Sequence, residues 1–201
     1  MLVEGIKSRP VYKGLSIQPH ARRHLFALEG EGANALLDQM AGLDDTILSR
    51  SEVLYVARRS QGKGHDAALR RLGADMFFTA PTIATLLFRL KGSLATAHMG
   101  TRLYIAGTEG FIGQAMMVAL DYGMDHASIM TEHRGSLARR VQCVHCKGIT
   151  DDVTHSPFNC SHCGLPLLVR DHYSRRLGAF QGVNVDAEEP GTAPDPEELF
   201  L

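Results

Sequence analysis

This 201-residue chain has no tryptophan, no cysteine outside one short stretch, no long apolar run and no excess of either charge. The missing tryptophan excludes little. No run of 18 apolar residues occurs, so no membrane-spanning helix is expected. A formal net charge of -1 and a pI near 6.8 leave no global field to favour nucleic acid or a membrane surface. The opening "MLVEGIKSRP" lacks an apolar core of signal-peptide type, so no secretory signal is expected. All four cysteines sit at metal spacing and none is left over, which points to a reducing cytoplasm with thiolates on a metal rather than in disulfides. No C-x-x-C-H motif for covalent haem and no C-x4-C-x2-C spacing for a plant-type cluster is present. No serine or cysteine shows an identifiable base partner, so no nucleophilic catalytic set is expected.

What is present is an alternation of strand-like and helix-like segments from residue 24 to 132, and 44% hydrophobic residues to fill a core. One or two short strands lead into "HLFAL". The Gly-rich "EGEGANALLDQMAGL" then opens a helix, with Ala35, Leu36, Gln39 and Met40 at helical spacing. Residues 53–57 form a compact apolar run of buried-strand length. "HDAALRRLG" reads as a helix closed by Gly73, and "ADMFFTA" as a strand. "PTIATLLFRLKGSL" reads as a helix with Pro81 near its N-terminus and an end near Gly92. "TRLYIAG", "EGFIGQAMMVALDYGM" and "HASIMTE" read as strand, helix and strand. Such alternation predicts right-handed crossovers and a mostly parallel sheet with flanking helices. Ligands of such sheets sit at the carboxyl ends of strands, where two Gly-containing loops fall, at 28–32 and 106–110.

The four cysteines form two C-x2-C pairs, Cys143/Cys146 and Cys160/Cys163, separated by 13 residues. Each pair is the shortest comfortable loop that puts two sulfurs on one ion. Four thiolates suit a tetrahedral zinc or iron ion, and a glycine one or two residues after each second cysteine lets the backbone turn its N–H groups toward sulfur. Structural zinc in a two-hairpin ribbon is the expected occupant, with redox iron as the alternative. His145, His155 and His162 are expected beside the site rather than on the metal. Residues 165–169 read as a strand packing on the ribbon. Beyond it, Arg170, His172, Tyr173, Arg175 and Arg176 form a candidate partner-docking patch, for which a solvated face is the plain alternative. The stretch "DAEEPGTAPDPEELFL" has six acidic residues and three prolines, so a mobile tail is expected, with Leu199, Phe200 and Leu201 either a frayed end or a short plug for a partner. The expected organisation is an α/β domain over residues 1–136, a four-cysteine module over 137–184 and a disordered acidic tail over 185–201.

Two resemblances rest on these motifs. Residues 24–132 resemble the pyridine-nucleotide half of ferredoxin reductase-type enzymes that serve aromatic-ring dioxygenases. "EGEGANA" stands at the family's "GGIGITP" loop, "LYVARRS" at its "Y-x-A-R-S" strand end, "LYIAGTEGF" at its "Y-x-C-G-P-x-G-F" loop, and Glu132 at its final glutamate. The resemblance implies that Gly30, Gly32, Asn34, Arg58, Arg59, Ser60, Gly107, Thr108, Gly110 and Phe111 lie at a nucleotide position, with NAD(P)H the candidate ligand. The departures are chemical. Glu29 and Glu31 replace a Gly and an Ile, Asn34 and Ala35 replace Thr-Pro, and Ala106 and Thr108 replace the late Cys and Pro. Carboxylates beside a pyrophosphate repel it unless neutralised. Only the first 23 residues precede this half, where a flavin barrel takes roughly 100 residues, so flavin is not expected here.

Over residues 20–183, and most specifically over 143–183, the chain resembles a subunit of the multi-component dimethylamine monooxygenase family. That resemblance implies a place in NADPH- and O2-dependent N-demethylation of dimethylamine to methylamine and formaldehyde, with flavin and haem on partner subunits. The expected role is an accessory subunit docked through a zinc ribbon. An iron-containing, rubredoxin-like electron carrier or NADPH-binding component is the first alternative, and a zinc-ribbon nucleic-acid regulator the second. The near-neutral charge and acidic tail weigh against the last.

Overall fold

A computed structural model describes residues 8–39, 43–58 and 64–201. Two compact units emerge: Tyr12–Gly135, and Ser136–Leu201 together with the described residues up to Val11.

In the first unit, β1 (Arg23–Glu29), β2 (Ser51–Val56), β3 (Met76–Ala80), β4 (Thr101–Gly107) and β5 (Ile129–His133) make one sheet in the order β3-β2-β1-β4-β5. Every pairing is parallel, so each crossover needs a helix, and the sheet is buried on both faces. Alternation along β1 sends Leu25 and Ala27 to one face and Phe26 and Leu28 to the other. The first face packs under α4 (Ile83–Ala95) and α5 (Glu109–Asp121) through Leu86, Leu90, Phe111, Ile112 and Ala115. The second packs under α1 (Ala33–Leu37) and α3 (His65–Arg71) through Ala33, Leu36 and Leu69.

Several boundaries differ from the sequence reading. α4 begins after Thr82, whose hydroxyl accepts from Thr85 N–H, with Pro81 beside the cap as expected. It runs on through Gly92 to Ala95, because Ser93 and Leu94 lie on its buried face, which offsets the roughly 1 kcal/mol cost of an internal glycine. α1 stops at Leu37, and Met40 lies outside the described residues. A short α2 (Asp45–Leu48) has no counterpart in the pattern reading; the Asp44 carboxylate caps it by accepting from Ile47 N–H at 2.9 Å. Residues 12–18 are not a strand. They cross the sheet as a strap whose backbone is satisfied by side chains: Leu15 N–H donates to Glu132 Oε2 at 2.7 Å, Gln18 N–H to the Tyr104 hydroxyl at 3.0 Å, and Gln39 Nε2 to Leu15 O at 2.9 Å.

Under the strap lies a row of stacked rings, His24, Phe26 and Tyr104. His24 is fully buried; its Nδ1 sits 3.3 Å from the Tyr104 hydroxyl and its Nε2 has no partner. Burial, and then the Arg50 charge, hold its pKa below the usual 6.5. The unfolded chain therefore takes up this proton first as pH falls. Above about pH 6.5 the stability from neutral His24 is complete, and below it stability drops by up to ~1.4 kcal/mol per pH unit until the folded pKa is reached. His24→Phe is expected to cost about 1 kcal/mol at pH 7.5, through the lost Tyr104 acceptor. It should also flatten the dependence just below pH 6.5. Paired urea titrations check this, and an unchanged acid slope in the variant would dismiss the assignment.

The second unit is a sheet in the order β7-β6-β11-β10-β9. It comprises β6 (Arg139–Cys143), β7 (Ile149–Val153), β9 (Phe158–Asn159), β10 (Pro166–Ser174) and β11 (Ala179–Asn184). β6–β7 and β9–β10 are antiparallel and each closes around one cysteine pair, as a two-hairpin ribbon requires. β11 then pairs antiparallel with β10 and parallel with β6, joining the two hairpins. The strand expected at residues 165–169 extends to Ser174.

The expected mobile tail is instead held at its end. β12 (Glu197–Glu198) pairs antiparallel with β8 (His155–Ser156), and Leu199 and Phe200 N–H both donate to Thr154 O. Phe200 is buried, its ring 4.0 Å from the Arg139 guanidinium carbon, and Phe180 lies 4.1 Å from the same carbon. Asp171 pairs with that buried guanidinium at 2.8 Å. A single aromatic anchor on a neutralised, desolvated cation fixes a segment whose average composition forbids a core of its own.

Candidate metal centre and strand-end crevice

The four cysteine sulfurs lie within 4.8 Å of one another. Cys143 and Cys163 Sγ are 3.9 Å apart, and Cys146 and Cys160 Sγ are 3.7 Å apart. A tetrahedral ion with metal–sulfur bonds of ~2.3 Å requires sulfur separations of ~3.8 Å, whereas a disulfide requires ~2.05 Å. The donor set thus fits a tetrahedral thiolate metal and not a disulfide. Burial works against the Cys160 thiolate, but backbone N–H groups of Cys163 and His162 and the neighbouring thiols outweigh it and pull its pKa to about 6. For Cys163 the Leu165 N–H favours the thiolate, yet burial and the other three sulfurs push it to about 12. Packing four sulfurs together allows one easy ionisation and penalises the next, the balance a divalent cation reverses.

The two knuckles reach the same turn by different residues. The left-handed position follows the second cysteine each time: Gly164 (φ 76°) in one knuckle and Lys147 (φ 63°) in the other. Gly148 is needed for space, since a Cβ there would lie 2.4 Å from the His162 ring. Its N–H donates to Cys146 Sγ at 3.4 Å. His162 turns Nε2 to Ile149 O at 2.8 Å, and no histidine joins the sulfur cluster among the described residues.

The other predicted residues gather at the carboxyl ends of β1, β2 and β4, where the strand order reverses. Gly30 and Gly32 form a 3-10 turn after β1. Gly32 has an ordinary φ of -59°, but a Cβ there would lie 2.1 Å from Ala106 O, so the β1 and β4 loops touch backbone to backbone. Asn34 Nδ2 donates to Glu31 Oε2 at 2.8 Å. The residue that organises the crevice is Glu29. Only 3% exposed, its Oε2 accepts from Thr108 N–H at 2.9 Å and from the Thr108 hydroxyl at 2.6 Å, while Arg58 Nη1 lies 3.4 Å from Oε1. A Cβ on Gly107 (φ 153°) would meet the Glu29 side chain at 2.8 Å. Glu29 therefore occupies the N-terminus of α5 as an internal anion, with its charge compensated by Arg58 and the helix end. Gly110 lies in the first turn of α5, and Phe111 is a core residue. Arg59 and Ser60 lie outside the described residues.

The strap closes the neighbouring side. Glu132 accepts from Leu15 N–H and pairs with Arg134 at 2.6 Å, while the Tyr12 hydroxyl donates to Glu109 at 3.0 Å. The sequence marked Glu29 and Glu132 as a departure and a match; that each is engaged by another segment of the chain needed the fold. In the proposed docking patch, Arg170, His172, Arg175 and Arg176 are exposed. Tyr173 turns inward, edge-on to Phe180 at 5.1 Å, after a register shift between Arg170 and Tyr173.

Comparison with known proteins places these features among relatives. Residues 4–129 match the N-terminal domain, and residues 140–183 the C-terminal domain, of the "dimethylamine monooxygenase subunit DmmA-like" family. The delta subunit of a heme-dependent oxidative N-demethylase from Ectopseudomonas mendocina (strain ymp) is 31% identical over 156 residues, 75% of this chain and 89% of that subunit. Among solved structures, an intact type IV self-sufficient cytochrome P450 monooxygenase is 20% identical with a TM-score of 0.44, over 68% of this chain and 19% of that one. The flavohem-like FAD/NAD binding domain of nitric oxide dioxygenase from Vibrio cholerae O1 biovar El Tor is 18% identical with a TM-score of 0.42, over 63% of this chain and 56% of that one. This chain thus spans about a fifth of the P450 and just over half of the FAD/NAD binding domain.

Proposed function

This chain belongs to the DmmA-like family of dimethylamine monooxygenase subunits, and from that premise we propose that it is a docking subunit of an oxidative N-demethylase complex, without a redox step of its own. The complex would oxidise dimethylamine to methylamine and formaldehyde with NADPH and O2, its flavin and haem residing on partner subunits in the cytoplasm. No helix among the described residues is long and apolar enough to cross a membrane.

The observation that carries the reading is Glu29. A dinucleotide at the reversal point of a parallel sheet sets its phosphates on a helix N-terminus. Here a buried carboxylate takes the Thr108 N–H and hydroxyl at that place, so the family's sheet serves as a scaffold. In the other unit, Cys143, Cys146, Cys160 and Cys163 would hold zinc, which as a filled-shell ion supplies rigidity and no electron transfer. The exposed Arg170, His172, Arg175 and Arg176 then form a rigidly mounted basic surface for a partner. One observation favours the iron reading: Cys146 is exposed, which puts one sulfur at the surface where an electron could pass to a partner.

Reconstitution separates these. Amine-dependent NADPH oxidation is measured with the other subunits, with and without this chain, alongside metal analysis and a visible spectrum. Loss of activity without the chain, one zinc, no colour and no saturable NADPH binding to the isolated chain is the expected set. Iron with bleachable thiolate charge-transfer bands would establish the electron carrier instead, and full activity without the chain would end both readings.

A further inference from the structure

Residues 195–201 lie beyond both family-matched segments, which span 4–129 and 140–183. Their arrangement is specific. Phe200 is buried on Arg139, while its neighbours Leu199 and Leu201 are 54% and 69% exposed. Leu137, 57% exposed, joins them, because its N–H donates to Leu201 O at 2.9 Å. A frayed terminus would leave leucines to solvent without holding them. Here the β12–β8 pairing fixes the backbone before Leu199, and Leu199 and Phe200 N–H on Thr154 O with the Phe200–Arg139 contact fix it between the two leucines. The segment inserts its one aromatic and, by the alternation of an extended chain, turns the two leucines outward.

From this arrangement we propose that the C-terminal segment 195–201, with Leu137, is a preformed docking knob for another subunit of the N-demethylase, inserting Leu199 and Leu201 into an apolar groove rimmed by Lys and Arg. The inference rests on the subunit reading above. Charge selects the occupant. Asp195, Glu197 and Glu198 are exposed along the same segment. A symmetric second copy would set these acids against their equivalents, a like-charge juxtaposition that disfavours self-association. A cationic rim on a different subunit is attracted by the same charges. Fixing the knob in advance removes the ordering cost that a loose tail meets on binding, so two leucines can dominate the affinity.

The test uses the full-length chain and the purified partner subunits. Leu199→Ser/Leu201→Ser is compared with the unsubstituted chain by calorimetric titration, with thermal midpoint and metal content as controls. Affinity is expected to fall about 30-fold or more, with both controls unchanged, because neither side chain is in the core. Asp195→Asn/Glu197→Gln/Glu198→Gln is expected to reduce the salt dependence of the on-rate. Equal affinity of the Leu199→Ser/Leu201→Ser variant overturns the knob and leaves the subunit reading standing. A homodimer that the same variant converts to a monomer overturns it in favour of self-association. If the unsubstituted chain binds none of the subunits, the subunit reading fails and the knob with it.

Discussion

Cys160→Ser is expected to abolish metal binding and unfold the ribbon unit while leaving the α/β unit folded. The two units bury separate clusters. Leu25, Leu54 and Leu103 belong to one of the α/β clusters, whereas Val141, Phe158, Leu167 and Phe180 make up much of the ribbon's small core. Cys143 and Cys160 themselves belong to that ribbon core. A unit this small would draw most of its stability from a metal on the four sulfurs; structural zinc supplies ~10 kcal/mol or more in comparable sites. The four thiols without a cation leave an easily ionised Cys160 against a Cys163 that resists ionisation. Metal stoichiometry should fall from one to zero. Amide protection should vanish across β6, β10 and β11 and persist in β1 and β4. The docked end should be released as well, since Phe200 rests on Arg139 of β6. Retained protection in β10 and β11 of a metal-free variant would show that the metal does not fold the unit.

The second large effect is expected from a single methyl group. Gly32→Ala places a Cβ 2.1 Å from Ala106 O and 2.7 Å from Gly107 N. Both obstacles are backbone, anchored by pairing of β4 to β1 and β5, so neither can swing aside. A loss of about 3 kcal/mol is expected, lowering the melting temperature of the α/β unit by ~10 °C. Gly92→Ala is the control. Gly92 lies inside α4 with nothing within 4 Å of a Cβ, so the same substitution should stabilise by up to ~1 kcal/mol. Differential scanning calorimetry of the two variants reads both signs. Equal melting temperatures for Gly32→Ala and the unsubstituted chain would mean that the close approach of the two loops is not maintained in solution.

Local pattern and spacing made much of this protein legible. Strands β1, β2 and β4, buried on both faces, show as short apolar runs between helical periods, and such runs require helices between parallel neighbours. The cysteine spacing specified the four-sulfur cluster, because a C-x2-C loop brings two sulfurs together with little help from the rest of the chain. Boundaries were less legible where burial opposed propensity: α4 passes Gly92 because Leu94 has a core to enter. Of the one or two short strands expected ahead of "HLFAL", residues 12–18 form a strap instead, because Glu132 and the Tyr104 hydroxyl, far along the chain, satisfy their backbone.

The sequence by itself determined the sheet, its helices and the four-sulfur donor set, since each follows from periodicity or from contacts within about twenty residues. Only the tertiary structure decided that Glu29 is an internal ligand for the α5 N-terminus, through a contact 79 residues away in the chain. It also decided that Gly32 is required for space rather than for φ, and that an acidic, proline-rich end is held on the ribbon by Phe200 against Arg139. The physical reason is the same in each case. Composition and periodicity report what a segment can do alone, whereas a buried charge, a backbone close approach and a lone aromatic anchor depend on a partner that only the folded chain supplies.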